Sequence, residues 1–134
     1  LGLHVYDARL WTPDGPVGDA DWAQREFALE LQYARALVGR QIAERSLQEI
    51  RRAGPLSAAD AARWLEAMTK LFPDVGAGDR LTGVNASGEA ARFFLNGRTL
   101  GEVREPAFAH RFFGIWLAPQ TSQPQLRTAL LGLG

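Results

Sequence analysis

The sequence predicts an α+β domain in which an antiparallel sheet carries helices in two pairs. Three observations predict it. Apolar residues recur with a period of two in several short segments, they change to a helical period after Leu37 and again after Ser57, and Asn96-Gly97 joins two strand-like segments as a type I′ hairpin would. Strands, two helices, strands and two helices follow one another in blocks, instead of the single alternation that makes a parallel sheet.

From Leu1 to Trp11 the apolar side chains Leu1, Leu3 and Val5 alternate with Gly2, His4 and Tyr6, which reads as a strand. Thr12 to Asp21 is dense in proline, glycine and aspartate and is a connection. A second strand places Phe27, Leu29, Leu31 and Tyr33 on one face and Glu30 and Gln32 on the other, so the two strands form an antiparallel pair joined by a long loop. Between Leu37 and Ala53 a helix carries Val38, Ile42, Ala43, Leu47 and Ile50 on one stripe, and Gly54-Pro55 ends it. The next helix opens on Ser57-Ala58-Ala59-Asp60, a capping box with aspartate in the place of glutamate, and carries Ala61, Trp64, Leu65, Met68, Leu71 and Phe72 to a stop at Pro73. Strands follow around Asp79 to Asn85, Ala90 to Leu95 and Arg98 to Val103. Glu105-Pro106 opens a third helix with proline at its first position, running to about Leu117. Ser122 to Gln125 can cap a last short helix with Leu126, Leu130 and Leu131.

With 134 residues, 46% of them hydrophobic, the chain holds one core and is too short for two. We therefore read a single domain over residues 1–134. Leu1 is not a methionine and already lies within the first alternating segment, so the domain is expected to begin upstream of it. The 15 basic and 15 acidic residues balance, with no run of five like charges, which gives no footprint for nucleic acid or an anionic membrane. No apolar stretch reaches the roughly 18 to 20 residues of a membrane span. The absence of cysteine excludes disulfides, thiolate nucleophiles and the usual structural zinc sites, and leaves cytoplasm and periplasm equally open.

Three segments taken in order carry a resemblance: the opening VYDARLW, the GDRLTG strand leading to FFLNGRTLGEV, and the closing FAHRFFGIWLAPQTSQPQLRTALLG. Together they resemble the chalcone isomerase-like family. The resemblance implies an open-faced β-sandwich, an antiparallel sheet with a layer of helices on one side and a small-molecule cleft between them. It also implies a choice among activities, because this scaffold hosts plant isomerases that close a chalcone to a flavanone, fatty-acid binders, haem binders and exported bacterial proteins. The enzymes use an arginine, a strand threonine, and a tyrosine and an asparagine on the first helix. Aligned on Val5-Tyr6, the threonine position falls at Leu1; aligned on Gly39-Arg40-Gln41, the tyrosine and asparagine positions fall at Ile42 and Glu49. The arginine would lie upstream of Leu1. Stabilising a developing charge needs preorganised donors, and these three positions offer none suited to the task.

The expected function is therefore non-catalytic binding of a small apolar, fatty-acid-like ligand in a cleft roofed by the Leu37 and Ser57 helices, with Leu3, Val5, Arg40, Ile42, Glu49 and Phe112 as candidate cleft residues. An intramolecular lyase of chalcone isomerase type is the alternative, and a haem-binding, structural or partner-binding protein a further one. His4 and His110 are the only histidines. Each reads as a surface or satisfied position, or as an axial haem ligand, with His110 beside Arg111 and Phe112 the more suggestive. Phe108, Phe112, Phe113 and Trp116 read as one core face of a helix. No glycine-rich phosphate loop and no Gly-x-Ser-x-Gly elbow is present. No metal ligand set is expected, and the partner is expected to be a small apolar molecule bound by a monomer. By resemblance to exported bacterial relatives, a periplasmic location is expected.

Overall fold

Phe27, Leu29, Leu31 and Tyr33 are all buried while Ala28, Glu30 and Gln32 between them are only half-buried, so one strand at the middle of the sequence's first half has a core face and an open face. The computed structural model describes residues 4–133, and the sheet is built outward from that strand. In chain order the elements are β1 (Tyr6–Trp11), β2 (Phe27–Tyr33), α1 (Gly39–Ala53), α2 (Ala58–Leu71), β3 (Arg80–Asn85), β4 (Ala91–Leu95), β5 (Arg98–Val103), α3 (Pro106–Leu117) and α4 (Pro124–Leu131), with one 3₁₀ turn at Trp22–Gln24. The five strands lie in sequence order and every neighbouring pair is antiparallel. This is the open antiparallel sheet of an α+β domain, with α1 and α2 inserted between β2 and β3 and the other two helices following β5.

Register decides which side chains meet the helices. Leu29 pairs with Leu10 and Gly83, Leu31 with Ala8 and Leu81, and Gly83 in turn with Phe93, so a continuous apolar row crosses the sheet. On the opposite face Arg9 pairs with Glu30 at 3.1 Å and Arg92 with Glu102 at 3.3 Å, and Trp11 stands 58% exposed. That face is the open one.

On the covered face α3 sits close to the sheet, because a Cβ added at Gly83 would lie 3.1 Å from the Phe113 ring. Phe113 meets Phe27 edge-on with centroids 5.0 Å apart, and Phe93 does the same to Phe72 at 5.0 Å and to Phe112 at 5.2 Å. Helix α2 lies toward β5 and α1, its Trp64 ring against Phe108 at 5.4 Å. Glu105, at the N-terminus of α3, joins the two helices by accepting from Trp64 Nε1 at 3.2 Å and from Arg63 Nε at 3.0 Å. The Arg63 guanidinium holds the Glu105 carboxyl below its ordinary value. Arg111 donates to the carbonyls of Ile50, Gly54 and Pro55 and so fastens the end of α1 to α3.

Local signals act as the sequence suggests at several ends. Ser57 caps α2, its hydroxyl accepting from Asp60 N at 3.1 Å. Asn96 and Gly97 both take positive φ, 50° and 85°, as a type I′ turn demands. Pro106 occupies the first turn of α3.

Four details differ from the sequence reading. Strand β1 begins at Tyr6, its core-facing residues are Tyr6, Ala8 and Leu10, and Val5 belongs to the segment before it; Leu1 and Leu3 lie outside the described residues. The phase follows from pairing with β2, whose buried residues demand even-numbered partners. Leu37 forms a bridge with Val75 ahead of α1, and Val38 is its 49% exposed N-cap residue instead of a member of the buried stripe. Ser122 does not cap α4: its hydroxyl bonds Glu49 Oε1 at 2.5 Å, and the N-cap position is Gln123. The turn at Trp22–Gln24, with Trp22 buried, lies where no period could show it.

Helix α1 begins against the end of α2, where a Cβ on Gly39 would lie 2.1 Å from the Phe72 carbonyl oxygen. Gly39→Ala is therefore expected to lower stability by about 2 to 3 kcal/mol, as overpacking against backbone does. Ser57→Ala, which removes only the cap, is expected to lower it by about 1 kcal/mol. Urea midpoints measure both, and equal midpoints for the two variants would contradict the packing of α1 on α2.

Candidate functional site

A cavity of about 580 Å³ lies between the sheet and the helices at the β1 side of the domain. Leu31 and Tyr33 of β2, Leu81 of β3 and Tyr6 of β1 form its floor. Ile42, Ser46 and Glu49 of α1 form one wall, Phe112, Ile115 and Trp116 of α3 the other, and Leu37 and Phe72 close an end. Its size is that of an ordinary small-molecule site, and most of its lining side chains are apolar. The cavity stays open because α3 is drawn down at Gly83, where Phe113 fills the space, while one turn later Trp116 leans toward the β1 edge and leaves a gap above Leu31 and Leu81.

The polar side chains of the lining lie mostly at the rim, where His4, Gln41, Arg45 and Gln123 are exposed. Ser46 Oγ donates to Ile42 O at 2.8 Å within its own helix. Glu49 is bonded to Ser122 and faces Arg52 at 3.6 Å and Arg45 at 3.9 Å, so its charge is opposed at the rim. Two tyrosines differ from these. The Tyr6 hydroxyl accepts from Trp116 Nε1 at 2.8 Å and from Gln123 Nε2 at 3.2 Å. Tyr33, 3% exposed, meets the Tyr6 ring edge-on with centroids 5.7 Å apart, and its hydroxyl has no hydrogen-bond partner among the described residues. Burial, and secondarily the neighbouring Tyr6 phenol, push the Tyr33 phenol well above its ordinary value.

Val5, Ile42, Glu49 and Phe112 all line the cavity. Leu3 lies outside the described residues. Arg40 does not line it: its side chain is 75% exposed and its Nε donates to Glu44 at 3.2 Å. The reason is helical geometry, since Arg40 is two residues from Ile42, on the opposite side of α1, and one turn before Glu44. The roof differs from expectation too, for it is α1 and α3; α2 contributes only Phe72, at its C-terminal end, because its buried stripe packs toward β5. His4 lies at the cavity's edge, its Nε2 3.1 Å from Asp7. His110 is outside the cavity, its ring 5.4 Å from that of Trp22, and the guanidinium of Arg111 is committed to three backbone carbonyls. Among the described residues no three of His, Asp or Glu gather as metal ligands. Among the described residues no helix is long and apolar enough to cross a membrane.

The sequence reading missed Tyr6, Tyr33, Trp116 and Gln123 as a group. Tyr33 carries a signal, being an inward residue of an alternating strand; Tyr6 falls among the polar alternates of its segment, and its bonds to Trp116 and Gln123 span separations of 110 and 117 residues that leave no local pattern.

Comparison with known proteins places this geometry in context. A family model described as chalcone isomerase-like matches residues 2–132. A protein of Haemophilus influenzae, described as uncharacterized, is 30% identical over 130 residues, covering 97% of this chain and 62% of that protein. The chain thus spans less than two thirds of that relative's length. The crystal structure of an Arabidopsis thaliana fatty-acid binding protein superposes with a TM-score of 0.72 at 11% identity, covering 95% of this chain and 76% of the other, a likeness of fold.

The Tyr33 environment has a consequence in alkali. Its folded-state value is raised above the ordinary 10.0, so above that pH the unfolded chain gives up the proton before the folded one does. The stability that Tyr33 contributes is complete below pH 10 and declines as pH rises further. Wild type is expected to lose more stability between pH 9 and pH 11.5 than Tyr33→Phe, measured by urea unfolding at each pH. Parallel curves for the two proteins would contradict a buried phenol.

Proposed function

This chain belongs to the chalcone isomerase-like family, and from that premise we propose that it is a non-catalytic carrier or sensor of a small apolar, fatty-acid-like molecule. The observation that carries the proposal is the cavity of about 580 Å³ between sheet and helices, walled by Leu31, Ile42, Leu81, Phe112 and Ile115. Burying an apolar chain there removes its surface from water at about 25 cal/mol per Å². A few well-placed polar groups are enough to orient it.

Two of the positions at which the resemblance puts the enzymes' hydrogen-bonding groups are Ile42 and Glu49, and both border the cavity. Isoleucine brings no donor, and the glutamate is tied to Ser122, Arg45 and Arg52 at the rim. A ring closure through an oxyanion would find no preorganised donor pair at these positions. Binding without turnover fits Ile42 and Glu49 better. A fatty-acid binding protein with the same fold lends the class of ligand.

Dodecanoic acid is expected to displace a fluorescent fatty-acid probe from the wild-type protein, and native mass spectrometry of protein as purified is expected to show adducts of a few hundred daltons. Ile42→Trp grows into the cavity; it is expected to fold with stability changed by about 1 kcal/mol or less and to lose at least tenfold in affinity. Addition of chalcone is expected to give no flavanone above the uncatalysed rate. Unchanged affinity in Ile42→Trp would remove the cavity as the binding site, and flavanone formation would restore the isomerase reading.

A further inference from the structure

Apart from Gln41 and Arg45 at the exposed rim, the hydroxyls of Tyr6 and Tyr33 stand out within the cavity because neither is occupied as a donor. A phenol has one O–H to give and two lone pairs to receive with. Tyr6 receives twice, from Trp116 Nε1 at 2.8 Å and Gln123 Nε2 at 3.2 Å, so its lone pairs are engaged and only its proton is left over. Tyr33 is 3% exposed and has no partner among the described residues, yet no described side-chain oxygen is both sealed from solvent and unbonded. Its hydroxyl therefore opens on the cavity that it lines. Desolvating a hydroxyl with nothing to bond is costly, and a ligand oxygen would relieve that cost. The two rings touch edge-on, centroids 5.7 Å apart, on paired positions of β1 and β2, and both line the cavity.

We propose that Tyr6 and Tyr33 form a paired-donor site for an acceptor oxygen at the end of the ligand, so that the molecule carried is an apolar chain or ring ending in a carbonyl or carboxyl group. The proposal rests on the carrier reading above and adds to it the position and chemistry of the head group. Trp116 and Gln123 act as positioning residues: by donating to Tyr6 they direct its proton away from themselves and toward the cavity. Burial holds the Tyr33 phenol above its ordinary value and so protonated in the neutral range, and the site accepts a charged or an uncharged oxygen, with the remaining chain along Leu31, Leu81 and Phe112.

Three probes of one chain length test it: dodecanoic acid, methyl dodecanoate and dodecane, each competed against a fluorescent probe on wild type, Tyr33→Phe and Tyr6→Phe. Tyr33→Phe breaks no bond among the described residues and is the variant that keeps its fold; Tyr6→Phe deprives Trp116 and Gln123 of their acceptor and is read alongside its urea midpoint. Each variant is expected to weaken the acid and the ester about fivefold, the equivalent of about 1 kcal/mol for one neutral hydrogen bond, and to leave dodecane unchanged. A preference of wild type for the acid identifies the free carboxylate as the natural head group, equal affinity a neutral carbonyl, and either supports the site. Equal binding of all three probes with no effect of Tyr33→Phe overturns the site while leaving the carrier reading in place. Failure of every probe to bind wild type overturns both.

Discussion

The seat of α3 on the sheet is the constraint from which the rest of the structure follows. Gly83 has no side chain on the covered face, so Phe113 descends to it and reaches Phe27 on the neighbouring strand. A methyl group there would lie 3.1 Å from the ring and lift the helix. Once Phe113 is seated, the helical period sends Phe108, Phe112 and Trp116 along the row toward the β1 side, and the edge-to-face contacts of Phe108 and Phe112 with Phe93 hold the helix at its angle. Packing is dense where four phenylalanines meet and opens where only Trp116 remains to span the distance to β1. The cavity and the core are two results of one placement.

The polar interior follows a consistent rule. Asn85, 1% exposed, spends its amide on the carbonyls of Ala23 and Arg25 and so fixes the chain around the Trp22 turn. Thr121 Oγ1 donates to Ile115 O at 2.6 Å where α3 gives way to α4, and Arg127 Nε donates to Leu117 O at 2.9 Å beside it. Each of these groups closes a loop or a helix end, and each is satisfied by backbone. Against that background the two phenols facing the cavity are exceptions, and they occur together.

Much of the fold was legible because it is periodic. The alternation from Phe27 to Tyr33, the stripe of α2 and the Pro106–Leu117 helix are long enough for their burial to be written in order, and Asn96-Gly97 announces its turn by backbone chemistry alone. What was not legible depended on partners. Strand β1 mixes Tyr6, Asp7, Ala8 and Arg9, so its phase is set by β2 and not by its own composition. Arg40 and Ile42 are near in sequence and on opposite sides of α1, and an alignment of motifs does not resolve an angle around a helix. Val5, Ile42, Glu49 and Phe112 line the cavity, whereas the hydroxyl cluster joins β1 to residues more than a hundred positions away.

Strand β1 is an outermost strand of the sheet, hydrogen-bonded to β2 alone among the described residues, and it is also the strand that supplies Tyr6 to the cavity wall. Edge strands fray more readily than central ones, so within the described sheet Tyr6 stands on less anchored backbone than Leu31 or Leu81. A guest that fills the space behind Tyr6 acts as a wedge of additional core, and by mass action its presence makes the margin of the sheet firmer. On the carrier reading proposed above, the firmness of that margin would differ between the empty and the filled protein.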